Sequence, residues 1–313
     1  MITATGPVQN IQIVFSADDL YAQHLGVAIT SLLSNLKPGL VPCFHVITNS
    51  LSDVNRKKLE SLKSIRDFSI NYLMVSPDDF QIYPMTLGHL TMATYFRLKT
   101  PYLLPDLDKV IYLDVDTVTV GDIAPLWDID LSPDEWIGGV QDLIVDKNVF
   151  ESIGLPKDGY YFNAGVTLMN LSALRQNHFE EKCIEFVQHY GHAIRYVDQD
   201  VMNHVCQGHV KWIHPKYNFM FGEIYKTYHW HDHTMPYTPA IMEEAVAHPV
   251  IVHFWGPGKP WFYRTRNLFA YKYNYYLKQT PWKNYHYPDK NFGVFLSNQL
   301  FFLRKKLKKI RSS

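Results

Sequence analysis

Neither sign of charge prevails in this 313-residue chain, whose 30 Lys and Arg balance 30 Asp and Glu. Without a net field there is nothing to draw in nucleic acid, and any recognition of an anion has to be local. Cysteine is scarce as well: Cys43, Cys183 and Cys206 are odd in number, far apart and set among apolar residues, with no C-x-x-C spacing. That usage argues against a disulfide framework and predicts reduced, buried thiols in a cytosolic protein. No run of about 18 apolar residues occurs, so no spanning helix is expected. The first ten residues lack a basic n-region and a long apolar stretch, so no signal peptide is expected either. What remains, 47% hydrophobic and 19% charged, is enough for a substantial core at the upper size of a single domain.

The most informative stretch that is present is Ile111-Tyr112-Leu113-Asp114-Val115-Asp116, an apolar run closing on two carboxylates one residue apart. Such a strand buries well, and acids at its carboxyl end emerge at the crevice where open α/β sheets bind ligands. Alternate residues of a strand stand about 6.6 Å apart, so the chain has to bend just after Asp114 for both acids to serve one ion. Oxygen ligation completed by phosphate suits Mg²⁺ or Mn²⁺. A D-x-D triplet also arises by chance, and alone it does not establish a metal site.

Strands are expected at Ile11–Phe15, Cys43–Ile47 and Ser69–Val75. Between them lie a helix carrying Leu25, Ile29, Leu32 and Leu36 on one face, ended by Pro38-Gly39, and a second capped by Ser52 or Asp53. This alternation predicts a mostly parallel sheet with the Asp114-Asp116 strand fourth. The Ser16–Tyr21 turn and the end of the fourth strand then face one crevice, the expected place for a nucleotide.

Further candidates follow along the chain. Arg97, set among Tyr95, Phe96 and Leu98, needs a carboxylate or phosphate partner. The segment before it, Met85–Leu90, either closes over a ligand or packs on the core. A strand at 136–140 exits through Gln141-Asp142, and Tyr160–Asn170 reads as a buried strand interrupted by Asn163 and Gly165. A buried amide costs about 1–3 kcal/mol if unpaired, so that interruption marks a candidate site. One helix is expected from Ser172 to Tyr190, and Asp198-Gln199-Asp200 opens the next, where capping accounts for one acid but not for Gln199. Val250–Trp255 reads as the last core strand, leading into Gly256-Pro257-Gly258-Lys259, whose glycines and lysine suit a diphosphate. His253 is open between a core histidine and a ligand. The alternating histidines His229, His231 and His233 offer a transition-metal pattern in a Tyr/Pro-rich loop with no catalytic companions. Finally, Phe301–Arg311 is basic and amphipathic, fit for an anionic membrane surface or for a solvated tail.

Six stretches together resemble glycosyltransferase family 8, most of all its bacterial lipopolysaccharide and lipooligosaccharide galactosyl- and glucosyltransferases. They are Phe15-Ser16-Ala17-Asp18-Asp19 with Tyr21, His89 to Leu98, Leu113 to Asp116, Phe162 to Val166, Asp198 to Asp200, and His253 to Trp261, in order within residues 11–265. The resemblance implies a GT-A fold, in which a mostly parallel, Rossmann-like nucleotide-binding sheet is flanked by helices, here with a C-terminal helical tail. It also implies a UDP-sugar donor, UDP-galactose or UDP-glucose, a divalent ion (Mn²⁺ or Mg²⁺), a saccharide acceptor, lipid-linked or glycan, and transfer with retention. Asp114, Asp116 and His253 are then the metal ligands. Ala17, Asp18 and Tyr21 hold uracil and ribose, Asp114 and Val115 also touch the donor nucleotide, and Gly256 and Lys259 take the diphosphate. Arg97, Asp142, Asn163, Asp198 and Gln199 surround the transferred sugar. Leu20 departs from the pattern, since relatives often carry Asn there. The expected division is a catalytic domain at 1–265 and a membrane-associating tail at 266–313, placing the protein in the cytoplasm on the inner leaflet. A metal-dependent phosphohydrolase, or a carbohydrate-binding protein without turnover, is the competing expectation.

Overall fold

The computed structural model describes residues 9–88, 91–143, 145–146, 148–220, 235–256 and 258–311, with backbone alone for residue 9 and for 302–311. Its centre is a seven-stranded sheet in the order β3-β2-β1-β4-β7-β6-β8. These are β1 (Gln9–Ser16), β2 (Leu40–Thr48), β3 (Ser69–Met74), β4 (Lys109–Leu113), β6 (Ile137–Gln141), β7 (Phe162–Asn170) and β8 (Val210–Trp212). The first four are parallel to one another, β7 runs against both β4 and β6, and β8 is parallel to β6. Ile11, Ile13, Val14 and Phe15 of β1 are all fully buried, as a central strand covered on both faces requires.

The chain does bend after Asp114. β4 stops at Leu113, and β5 (Thr117–Thr119) leaves the sheet to pair antiparallel with β9 (Ile251–His253), Thr117 lying opposite His253. Val250–Trp255 is therefore not a strand of the core sheet, as its apolar run suggested. It belongs to a separate two-stranded sheet because the turn at the acids carries its partner off the main one.

Helix α1 (Ala22–Asn35) buries eleven of its residues, and α2 (Asp53–Glu60) is capped by Ser52, which accepts from Asn55 N at 3.3 Å. The single helix expected at 172–190 is two, α3 (Leu171–Gln176) and α4 (Phe179–Tyr190). His178 between them has φ +54°, and a left-handed residue ends the run of helical hydrogen bonds. Leu174, Cys183, Phe186 and Val187 are buried all the same. Helix α5 (Val197–Val205) follows.

Near the other end, α6 (Ala270–Leu277) packs on α1. Tyr273 Oη lies 2.6 Å from His24 Nδ1, and Asn35 donates to Tyr276 Oη at 2.7 Å. The Trp282 ring fills the space that a side chain at Gly26 would need, since a Cβ there would stand 2.5 Å from it. Helix α7 (Phe292–Arg311) follows, with Phe292, Phe295, Leu296 and Leu300 exposed. No helix among the described residues is long and apolar enough to cross a membrane. His229, His231 and His233 lie outside the described residues, as do His89 and Leu90.

Candidate active site

Two adjoining cavities open at the carboxyl ends of β1 and β4, about 100 and 300 Å³ in volume. Ala17, Asp18, Tyr21 and Val115 line the smaller; Asp142, Asn163, Gln199 and Gly256 line the larger. Thr94, Arg97, Asp114, Asp116 and Lys259 line both. The acids of the D-x-D turn thus stand at a junction between a pocket on the β1 side and a pocket on the β7 side.

On the β1 side the turn is held by its own side chain: Asp18 accepts from Tyr21 N at 3.1 Å. Trp261 forms the far wall, edge-on to Tyr21 and stacked at 3.7 Å on His24. Asp19 ties the turn to α2 by accepting from Ser52 N at 2.7 Å, while Leu20 points to solvent, 83% exposed.

At the junction Arg97 is buried and finds two carboxylates, Asp114 at 2.6 Å and Asp198 at 2.8 Å. Burial alone would lower its pKa; Asp114 and Asp198 outweigh that and raise it further. Its plane also lies 4.3 Å from the Tyr112 ring. Asp116 meets His253 Nε2 at 3.2 Å and contacts the Lys259 ammonium. Burial would raise its carboxyl, but Lys259 and His253 together hold it well below the usual carboxylate range. Gly256, at φ +73°, makes the turn that brings Lys259 back to Asp116.

Asp114, Asp116 and His253 each offer an atom within 4.8 Å of the others. Two carboxylates and an imidazole of this spacing fit a divalent cation. The oddity inside β7 has the same origin. A Cβ on Gly165 would stand 2.2 Å from the His253 ring and 2.7 Å from Asp114 Oδ2, so the strand is bare where the three groups converge.

On the β7 side the polar groups hold one another. Gln199 accepts from Ala164 N at 3.0 Å and donates to Asp142 at 3.2 Å, and Asn163 donates to the same Asp142 oxygen at 3.2 Å. Burial pushes the Asp198 carboxyl up to about 6, against the pull of Arg97 and of the Thr94 hydroxyl that contacts it. Asp200 points away from the crevice. It accepts from Arg195 N and Tyr196 N at 2.7 and 2.8 Å and from Tyr161 Oη at 2.5 Å, fixing the turn before α5. The residue that follows it, Val197 at the start of α5, has φ +44°, a strained conformation for a β-branched residue. The strain sits one residue before the Asp198-Gln199 pair.

All the site residues expected from the sequence therefore line one of the two cavities. Of the segment Met85–Leu90, Leu87 reaches the larger cavity and Thr86 donates to Arg195 O at 3.1 Å. Missed from the sequence were Thr94, Val197 and Asn218, whose Oδ1 lies 3.0 Å from His253 Nδ1. Thr94 lies inside a recognised stretch and was within reach; Val197 and Asn218 follow no pattern of spacing.

The structure of galactosyltransferase LgtC, solved with donor and acceptor sugar analogs, superposes with a TM-score of 0.78 at 32% identity, covering 87% of this chain and 96% of that one. The shared architecture is the GT-A fold, a mostly parallel central sheet flanked by helices. A lipopolysaccharide 1,3-galactosyltransferase of Salmonella typhimurium is 27% identical over 87% of this chain and 79% of its own length. General stress protein A of Bacillus subtilis is 29% identical, over 87% and 94%. Residues 12–265 match the description Glycosyl transferase family 8, and with the D-x-D turn at the crevice of such a sheet, the chain belongs to that family.

Proposed function

We propose that this glycosyltransferase moves galactose or glucose from a UDP-sugar to a saccharide acceptor in the synthesis of lipopolysaccharide or another surface glycan, with retention at the anomeric carbon. The observation that carries the reading is the convergence of Asp114, Asp116 and His253 where the two cavities meet. The smaller cavity, with Tyr21 and Trp261, suits a nucleoside, and the larger, lined by amides and acids, suits a hexose.

Asp114, Asp116 and His253 would hold a divalent cation, Mn²⁺ or Mg²⁺, which when bound would supply positive charge against the charge that collects on the departing diphosphate. Lys259 adds a second positive charge on the same side. Both candidate nucleophiles are weak ones for a double displacement: Gln199 is a neutral amide whose oxygen accepts from Ala164 N–H, and the charge of Asp198 is paired with Arg97. This supports attack by the acceptor hydroxyl on the face that UDP leaves: the acceptor O–C1 bond forms, the C1–O bond to phosphate breaks, and a phosphate oxygen takes the hydroxyl proton. A sugar trapped on Asp198 or Gln199 in a slow-substrate reaction, seen by mass spectrometry, would replace that route.

The decisive experiment incubates the protein with a panel of UDP-sugars, Mn²⁺ and a saccharide acceptor and measures UDP. UDP from UDP-galactose or UDP-glucose, lost on chelation, is the expected result. Release of sugar phosphate would indicate a phosphohydrolase, and donor binding without product a binding protein; nothing in the geometry or the relatives favours either. We assign only the end of the chain, α7, to the inner leaflet of the membrane, because its exposed Phe292, Phe295, Leu296 and Leu300 precede a run of lysines and arginines, whereas α6 before it packs on α1. Removing residues after 300 should leave turnover on a soluble acceptor intact and weaken sedimentation with anionic vesicles; unchanged sedimentation would detach the tail from the membrane.

A further inference from the structure

An unbroken chain of hydrogen bonds runs from the middle of β7 to the His253 ring, and its direction is set at one end. Gly165 N donates to Asn163 Oδ1 at 3.0 Å. A peptide N–H can only donate, so the Asn163 atom facing it is the oxygen, and its nitrogen faces Asp142. The Asn218 atom 2.9 Å from that same oxygen is then Nδ2, since two carbonyl oxygens would repel at this distance. Asn218 Oδ1 is left 3.0 Å from His253 Nδ1, and an oxygen there requires the proton on Nδ1. Nε2 is the nitrogen left to offer a lone pair, and it is the one facing Asp116 at 3.2 Å and Asp114 at 3.9 Å.

We infer that Asn218, fully buried and outside every recognised stretch, is a positioning residue that presents His253 Nε2 to the two carboxylates as a cation ligand. Asn163 relays the orientation. Both its oxygen contacts and its bond to Asp142 are spent on this chain, which makes it a support of the ion site as much as of the sugar pocket. The inference rests on the reading of Asp114, Asp116 and His253 as ligands.

The test is Mn²⁺ affinity in the presence of saturating UDP, followed by the electron paramagnetic resonance signal of free Mn²⁺. Asn218→Leu removes the acceptor and should weaken Mn²⁺ binding by about 10–100-fold, the usual cost of losing such a partner. Asn218→Asp keeps an acceptor for Nδ1–H but sets a second oxygen against Asn163 Oδ1, so it should recover only part of the affinity that Asn218→Leu loses. In a His253→Ala background, Asn218→Leu should change the affinity no further, whereas a general structural role would add its own loss. Melting in EDTA checks folding, and if the Leu variant does not fold, Asn218→Ala carries the same comparison. Parent-like binding by the acceptor-less variant, an Asp variant as weak as the Leu one, or an added loss without His253 would each overturn the inference. A parent protein that binds no Mn²⁺ would instead remove the ion site itself.

Discussion

On the β1 side of β4 the crevice residues hang from a turn after a strand, whereas on the β7 side they grow from the strand itself. β1 buries the apolar Ile11, Ile13, Val14 and Phe15 in the sheet and hands over to Ala17, Asp18 and Tyr21 only when it ends. β7 carries Asn163 and Gly165 in its interior, opposite a register shift in β6 between Gly139 and Val140. The difference is one of coupling. A turn can change its side chains without disturbing the sheet, but an amide inside a strand is part of a network whose members fix one another.

The largest effect is expected where the two sides meet. Asp116→Asn leaves Lys259 and His253 without their common charge and weakens a hard-cation ligand, so UDP release should fall roughly 10²–10³-fold with the fold retained by circular dichroism. Full, metal-dependent turnover would take Asp116 out of the site. Next is the β7 side: Gly165→Ala pushes on the His253 ring and Asp114 together, and Mn²⁺ affinity should fall by about 10–100-fold. Unchanged affinity would show that the strand is not packed against the ligands.

The β1 side should answer through acid stability. His24 and His45 are buried there, and desolvation lowers their pKa to about 3 and about 4. Unfolded histidine takes up a proton near 6.5, so below that pH the unfolded chain binds more protons and stability falls as pH drops toward 4. Each ring contributes about 1.4 kcal/mol per pH unit across that window. His24→Phe should flatten the acid limb of a urea-midpoint profile, and an unaltered limb would mean that His24 charges in the folded state. The smallest effect is at Leu20. Leu20→Asn should leave stability unchanged within about 0.5 kcal/mol and, by adding one donor contact worth about 0.5–1.5 kcal/mol, lower KM for the UDP-sugar. An unchanged KM would separate that position from the donor.

This contrast also explains what could be read in advance. β1 to β4 follow simple hydrophobic patterning, and the need for a bend after Asp114 followed from strand geometry alone. On the other side the reasons are three-dimensional. Gly165 is a glycine because two distant side chains converge on it, and the break at His178 depends on one residue's left-handed backbone. Asn218 sits between Tyr217 and Phe219 with nothing in its neighbourhood to distinguish a relay from an ordinary buried amide. Val250–Trp255 looked like a core strand because apolar content reports burial and says nothing about which sheet a strand joins.

The seat of Trp282 against Gly26 has a bearing on how the molecule is made. The first helix stays uncovered until a partner some 250 residues later in the chain arrives, and Gln23 and Tyr273 are separated by 250 positions. Long-range closures of this kind are slow and leave apolar surface open in the meantime. During synthesis the β1 half can therefore assemble its strands early, while the outer face of the first helix stays open until the residues around Trp282 have emerged.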